Sequence, residues 1–315
     1  MKTDTRVTVA ICSYNSASTL KSLVLELQNQ SCSIPVDILV VDNNSTDGTR
    51  QLVNDLSVRE GVSLRYVFES CKGIPYARNR AIAESLGSDY LAFIDADEMP
   101  ETGWLAAAVD ALSNEKADCV GGEIRVRLPF TPPPTWLTEQ LSGFLGKLNH
   151  GSAAFWIRDA STPVWSGNIA YKTSIFSTGL RFDVRYNRSG KGVGGGSDAM
   201  MFRQLLAQGF KIRYRPDMII YHLVEREKLK RSYFIRLHYV AGKKFGEFQM
   251  PTYKKSLFGI APFMIRQLLV QIGKALLMVL RRDADALRQA MNASYAAGTL
   301  TGRIRSWKAG PKTES

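Results

Sequence analysis

Histidine is scarce in this chain of 315 residues, with only His150, His222 and His238, and His150 and His238 stand in no recognisable context. Cysteine is nearly as rare. Cys12, Cys32, Cys71 and Cys119 lie far apart with no metal-type spacing, which speaks against a zinc cluster and reads as reduced packing residues of a cytosolic protein. No uninterrupted apolar stretch reaches membrane-spanning length, and the apolar run after Met1–Arg6 is too short for a secretory leader. Repeats and low-complexity segments are absent. A glycine-rich, lysine-bearing triphosphate loop near the first strand is missing too, which disfavours nucleotidyl transfer.

What remains is ordinary globular material, 45% hydrophobic and 22% charged, long enough for one large domain or one domain with an appendage. The charge is unevenly placed. Residues 1–200 carry 19 Lys and Arg against 22 Asp and Glu, whereas residues 201–315 carry 22 against 7. The basic excess of the last third points to an anionic partner, a membrane surface or a nucleic acid. Nucleic acid is disfavoured because the basic segment is interleaved with long apolar runs and contains no recognised reading motif.

Val7 to Cys12, Val36 to Val41, Leu64 to Phe68 and Leu91 to Ile94 are short apolar runs of the kind buried in a parallel sheet. Helical spacing of Leu20, Leu23, Val24 and Leu27, and a helix from Ile74 to Leu86, alternate with them. That pattern predicts an α/β fold with a doubly wound, mostly parallel sheet flanked by helices. Further on, Trp104 to Leu112 reads as helix and Cys119 to Leu128 as extended. The proline cluster from Pro129 to Pro134 reads as a rigid loop, and Trp165 to Tyr171 as a turn into a strand. Arg185 to Gly196 reads as a mobile glycine-rich loop, followed by a helix from Ala199 to Gln208 opened by Ser197-Asp198. Ile212 to Tyr214 and Met218 to His222 read as two short strands. From Glu225 the chain turns basic, aromatic and helical. Leu257 to Leu280 is apolar but broken by Pro262, Arg266 and Lys274, which predicts one or two amphipathic helices lying on a membrane interface, or packed on the catalytic domain or a partner.

The stretch that organises the rest is Leu91-Ala92-Phe93-Ile94-Asp95-Ala96-Asp97-Glu98. Its acids fall at the carboxyl end of a buried strand, the edge where ligands bind in open α/β sheets. On a continued strand Asp95 and Asp97 would share a side and suit a hard cation such as Mg²⁺ or Mn²⁺, with substrate phosphates completing its coordination. Asp283-Ala284-Asp285 repeats the letters in front of a helix, whose first turn favours acids on dipole grounds alone.

Five segments in order, Val7 to Asn15, Val41 to Thr49, Gly73 to Asn79, Asp95-Ala96-Asp97 and Gly196-Ser197-Asp198, closely resemble the family 2 glycosyltransferases of GT-A fold over residues 7 to about 222. The resemblance implies inverting transfer of a sugar from a nucleotide diphosphate, with UDP favoured, to an acceptor hydroxyl. It implies donor binding by Ser13, Asn15, Asp42, Gly73, Arg78, Asn79 and Asp95. Asp42 would accept the imide hydrogen of uracil, Asp47 being the better helix cap. Arg78 would neutralise diphosphate oxygens. Asp97 and His222 would hold the metal, and Asp198 would be the general base, in a first helical turn that favours the ionised form a base needs. Trp165, Asn168 and Arg203 match positions near the donor sugar or acceptor. Many relatives carry Glu where this chain has Ser197, so a second carboxylate toward the acceptor is missing.

The reading divides the chain into a nucleotide-sugar-binding and catalytic domain, 1–223, and a basic amphipathic helical extension, 224–315. It expects a metal-dependent glycosyltransferase working peripherally on the cytoplasmic face of the cell membrane, with a glycan or lipid-linked acceptor in polysaccharide biosynthesis. The alternatives are a catalytically silent binding protein on the same fold and a nucleotidyltransferase.

Overall fold

Val7-Thr8-Val9-Ala10-Ile11 is buried at every position, as a strand covered on both faces must be. It opens a nine-stranded sheet in a computed structural model that describes residues 5–58, 62–187, 194 and 196–310. The described chain forms two compact units. One comprises Met1–Thr131, Leu145–Asn187 and Ser197–Val224, the other Pro132–Phe144, Arg188–Gly196 and Glu225–Ser315. The expected glycine-rich loop, Arg185 to Gly196, lies largely outside the described residues.

In chain order the elements are β1 (Val7–Ser13), α1 (Ala17–Gln28), β2 (Val36–Asp42), α2 (Thr49–Ser57), β3 (Ser63–Phe68), α3 (Ile74–Glu84), β4 (Tyr90–Asp95), β5 (Glu98–Pro100), α4 (Trp104–Ser113), β6 (Cys119–Arg127), α5 (Glu139–Ser142), β7 (Phe155–Ile157), β8 (Asn168–Lys172), α6 (Ser197–Ala207), β9 (Ile212–Leu223), α7 (Arg231–Lys244), α8 (Pro262–Leu280) and α9 (Ala286–Lys308). Leu20, Leu23, Val24 and Leu27 are the buried face of α1, the stripe their spacing predicts. Pro75 sits in the first turn of α3, where its missing N–H is not needed.

The strand order is β3-β2-β1-β4-β8-β6-β9-β5, with β7 also on β9. The parallel character predicted from sequence belongs to β3-β2-β1-β4. Beyond β4 the sheet is mixed, since β8 runs antiparallel to β4 and β6, β9 is parallel to β6, and β5 and β7 are antiparallel to β9. Only Ala96 and Asp97 separate β4 from β5, a gap three residue steps can span over at most about 11 Å. Four strand spacings in a flat sheet would come to about 19 Å, so the sheet curls back on itself at this corner.

The two short strands expected at Ile212–Tyr214 and Met218–His222 are one strand, β9. Pro216-Asp217 falls where the register with β6 shifts between Gly122 and Ile124, so the proline marks a bulge inside a strand. Gly122 is required there, because a Cβ would come within 1.9 Å of the Met218 carbonyl oxygen. The core of this unit includes Phe93, whose ring meets Tyr171 and Phe182 edge-on at centroid distances of 6.1 and 6.0 Å.

The second unit is built on α7, α8 and α9. Two Gly-x-x-x-Gly pairs face one another in it. A Cβ on Gly242 or Gly246 would meet the carbonyl oxygens of Tyr295 and Thr299 at 2.0 and 2.2 Å, and one on Gly298 or Gly302 would meet those of Tyr239 and Lys243 at 2.1 Å each. Backbones approach this closely only where side chains are absent on both sides. Of the one or two helices expected over Leu257–Leu280 there is one, α8. Pro262 occupies the first turn of α8 and starts it, and Arg266 and Lys274 are exposed on an unbroken helix of 19 residues. Among the described residues α8 is the one helix long and apolar enough to cross a membrane.

Candidate functional site

The parallel strands β1, β2 and β4 end side by side. In register, Ser13 faces Asp42 and Cys12 faces Asp95, so three predicted residues, Ser13, Asp42 and Asp95, stand at one carboxyl edge. Strand β4 stops at Asp95, and Asp97 lies in the turn that follows. The same-side argument from strand periodicity therefore does not apply, and the two acids have different partners.

Asp95 belongs to Arg78. One terminal nitrogen of Arg78 lies 3.0 and 3.3 Å from the Asp95 carboxylate oxygens, and the other donates to Asp198 Oδ1. The guanidinium also lies over the Phe182 ring, 5.4 Å from its centroid. The Arg78 side chain is 2% exposed, against 34% and 33% for Asp95 and Asp198. Burial disfavours the charge, but the neighbouring Asp198 and Asp95 outweigh it and hold the guanidinium protonated more firmly than usual. Both of its terminal nitrogens are thus engaged with carboxylates, while its Nε is buried without a hydrogen-bond partner among the described residues. Ser197 Oγ lies 3.4 Å from Asp198 Oδ1. Cys12, beneath this cluster, is pushed up to about 12 by burial and remains a thiol.

Asp97 belongs to His222, whose Nε2 lies 3.3 Å from Asp97 Oδ2. The position is set by the sheet, since Glu98 pairs with His222 across β5 and β9 and Leu223 N donates to the Asp97 carbonyl at 2.8 Å. On its other side His222 Nδ1 lies 2.7 Å from the Leu145 carbonyl oxygen. That contact places a proton on Nδ1, and in the neutral ring it leaves the Nε2 lone pair facing the carboxylate. Two lone-pair atoms about 3 Å apart match the spacing of neighbouring ligands around a Mg²⁺ or Mn²⁺ ion. They fit as a pair only. Among the described residues no three His, Cys, Asp or Glu side chains gather to hold a metal ion, so further ligands would have to come from a substrate or water.

Asp42 is 2% exposed, its Oδ1 accepting from Ser45 N at 3.0 Å and its Oδ2 from the Tyr66 hydroxyl at 2.7 Å. Burial, together with this bond, pushes the Tyr66 phenol up to about 12, so it stays a donor. The N-cap of α2 is Gly48 rather than Asp47, but Asp47 accepts from the first N–H groups of α2 and α1, Thr49 N at 3.0 Å and Ala17 N at 3.1 Å. Ser13 Oγ is buried without a hydrogen-bond partner among the described residues, an unmet polar group at the ligand edge. Asn15 is exposed in a left-handed conformation (φ 52°), and its Oδ1 accepts from Thr46 N at 2.7 Å. Gly73, at φ 138°, leads into α3. It donates to Asn43 Oδ1 at 2.6 Å and leaves no room for a Cβ beside Asn187.

Other predicted residues carry structure. The Asn79 amide clasps the Phe182 backbone, donating to its carbonyl at 2.9 Å and accepting from its N–H at 2.8 Å. Asn168, 1% exposed, accepts from Trp104 Nε1 at 2.7 Å and donates to the carbonyls of Glu123 and Met218 at 2.8 Å each. Asn168→Ala is therefore expected to leave three polar groups unmet at about 1–3 kcal/mol each, and a thermal melt should fall by roughly 10 °C. An unchanged melting temperature would contradict this structural role. Trp165 is half-buried against the core, with its carbonyl closing the turn to Asn168. Arg203 is exposed on α6.

Glu98 is the residue that sequence reasoning passed over. It is buried, and its Oε2 accepts from Asp95 N at 2.8 Å. Burial first, then the nearby Asp95 and Asp97, push its carboxyl well above the ordinary range, and its bond from Asp95 N ties it to the acid turn. Gly167 makes space for it, since a Cβ there would come within 2.4 Å of its carboxyl. The signal was a third acid directly after the Asp-x-Asp, three residues past the end of a strand already judged buried.

The sequence and the fold have counterparts among known proteins. Over 244 residues, 76% of this chain and 74% of the relative, the sequence is 24% identical to the succinoglycan biosynthesis protein ExoM of Rhizobium meliloti. It is 32% identical over 124 residues to the glycosyltransferase AglE of Haloferax volcanii, a match spanning 39% of this chain and 40% of AglE. The fold matches the mannosyltransferase PcManGT of Pyrobaculum calidifontis, solved with GDP-Man and Mn²⁺, at a TM-score of 0.62 and 19% identity over 96% of this chain and 88% of that one. The family model for glycosyl transferase family 2 matches residues 8–180, more than half of the sequence and all three strand ends that form the carboxyl edge, and the chain belongs to that family.

Proposed function

We propose that the chain transfers a sugar, with inversion, from a nucleotide diphosphate sugar to an acceptor hydroxyl. The observation that carries this reading is the single buried guanidinium of Arg78, which engages the sheet-edge Asp95 and the helix-borne Asp198 together. Both carboxylates stay partly exposed, so a substrate can meet them. Asp198 serves as the general base. Its Oδ1 is held by Arg78, and Oδ2 takes the proton of the acceptor hydroxyl. As that proton leaves, the acceptor oxygen bonds to the sugar's C1. The bond from C1 to the diphosphate breaks on the opposite face, and its electron pair departs with the nucleotide. Arg78 is a positioning residue that keeps the base aimed.

Asp42 receives the imide hydrogen of a uracil base, with the Tyr66 hydroxyl bond to its Oδ2 fixing the carboxylate, so UDP-sugars are favoured. Ser13 Oγ, Asn15 and Gly73 line the donor's path. Asp97 and His222 would hold Mg²⁺ or Mn²⁺, which when bound neutralises charge developing on the departing diphosphate. ExoM's name supports a growing polysaccharide as acceptor. The basic last third supports a lipid-linked acceptor met at the cytoplasmic face of the cell membrane.

Calorimetric titration with UDP and GDP, each with and without Mn²⁺ or Mg²⁺, followed by a turnover screen over UDP- and GDP-sugars, tests the reading. UDP is expected to bind more tightly when the ion is present. Failure of both nucleotides to bind with either ion would overturn it, and binding without turnover of any sugar would favour the catalytically silent alternative.

A further inference from the structure

Helix α8 is covered along one stripe only. Met264, Leu268, Gln271, Ala275 and Met278 are its less exposed positions, and on this stripe Gln289 of α9 donates to the backbone and side-chain oxygens of Gln271 at 3.2 and 2.6 Å. A second row with the same spacing, Ile265, Leu269, Ile272, Leu276 and Val279, is 40–63% exposed. Leu257, Phe258 and Trp307 are exposed as well, and the rings of Phe258 and Trp307 meet edge-on at 5.1 Å. An apolar row of this length on a soluble surface marks an interaction site.

Charge selects the occupant. Residues 248–310 hold ten Lys and Arg against two acids, Asp283 and Asp285, and Lys254, Lys255, Arg266, Lys274, Arg281 and Arg282 are all exposed. A symmetric pairing of two copies would bring like charges together, whereas an anionic bilayer neutralises them. The stripe on α9 selects the orientation. With 19 residues α8 is about 28 Å long, enough to cross the hydrocarbon core. Its covered stripe runs from Met264 to Met278, however, so crossing would draw α9 in alongside, with Arg288, Gln289 and Asn292, against the preference of charged and amide groups for water.

We propose that α8 lies in the plane of an anionic membrane surface, with the row from Ile265 to Val279 at the boundary of headgroups and acyl chains and the exposed cations against lipid phosphates. This deepens the membrane placement in the reading above and is independent of the transfer reaction. Vesicle binding without donor tests it, whereas nucleotide binding in solution tests the reaction.

The experiment is co-sedimentation of the full chain with phosphatidylcholine vesicles that contain or lack phosphatidylglycerol. Binding is expected to be stronger by about tenfold or more on the anionic vesicles, to weaken with salt, and to be released by alkaline carbonate. Leu269→Glu with Leu276→Glu, both at exposed positions, should reduce binding to the level on neutral vesicles while leaving the circular dichroism melt unchanged. Lys254→Gln, Lys255→Gln, Arg281→Gln and Arg282→Gln together should abolish the lipid-charge preference. Equal binding to both vesicle types, resistance to carbonate, or wild-type binding by the double Glu variant would each overturn the proposal. So would a dimer in light scattering that the double Glu variant dissolves, which would assign the face to a second copy.

Discussion

Asp198→Asn is expected to lower turnover by roughly 10²- to 10⁴-fold, the range that removal of a general base usually produces, while the affinity for UDP measured by calorimetry changes little. The split follows from placement. Asp198 is on α6, at the far side of Arg78 from Asp95, whereas the predicted base-binding carboxylate, Asp42, is held separately by Ser45 and Tyr66. An amide at position 198 can still accept a hydrogen bond from Arg78 but cannot take a proton from an alcohol. Losing one of the two anions beside a buried guanidinium also weakens the fold somewhat, so a melt of the same preparation is needed to show that the protein remains folded at the assay temperature. A folded variant with full turnover would remove Asp198 from the reaction. Equal loss of turnover and UDP affinity would place it in donor binding.

The half of the fold built by β1 to β4 was legible because each strand is a short, mostly apolar run, with β1, β2 and β4 ending in a polar residue, and the helices alternate with them, the first carrying the stripe Leu20, Leu23, Val24 and Leu27. The other half was less so. Gly121-Gly122 in β6 and Pro216 in β9 dilute the strand signal, and a proline inside a strand looks the same in sequence whether it bends the strand or ends it. Strand β4 ends at Asp95 and does not continue to Asp97, which changes the geometry of the acids: Asp95 turns to Arg78 and Asp97 to His222. Pattern alone cannot see a contact such as that between Arg78 and Asp198, 120 residues apart. Nor can it tell an asparagine that meets a ligand from one that clasps a backbone, as Asn79 and Asn168 do. Whether α8 would be one helix or two was left open for a simpler reason. Two cations and a proline read as breaks, yet the proline starts the helix and the cations project from it.

Arg78→Met is expected to destabilise the sheet domain through charge as well as packing. It replaces a buried cation by an apolar side chain of similar length and leaves Asp95 and Asp198 facing each other without a counter-charge. Stranding a fully buried partner costs about 3–5 kcal/mol. Here the two acids are each about a third exposed and water can partly hydrate them, so a loss of roughly 2–3 kcal/mol is expected, or about 5–10 °C in the melting midpoint. The sign of the coupling separates this cause from simple loss of packing. Adding Asp198→Asn to Arg78→Met removes one of the two stranded charges, so the double variant should be more stable than Arg78→Met alone by about 1 kcal/mol or more, although it carries two changes. A packing effect predicts the opposite, because the cavity left by the arginine is the same in both and the second substitution can only add to the damage. If the double variant melts below Arg78→Met, the guanidinium is not holding the two carboxylates together electrostatically, and its positioning of the base loses its physical ground.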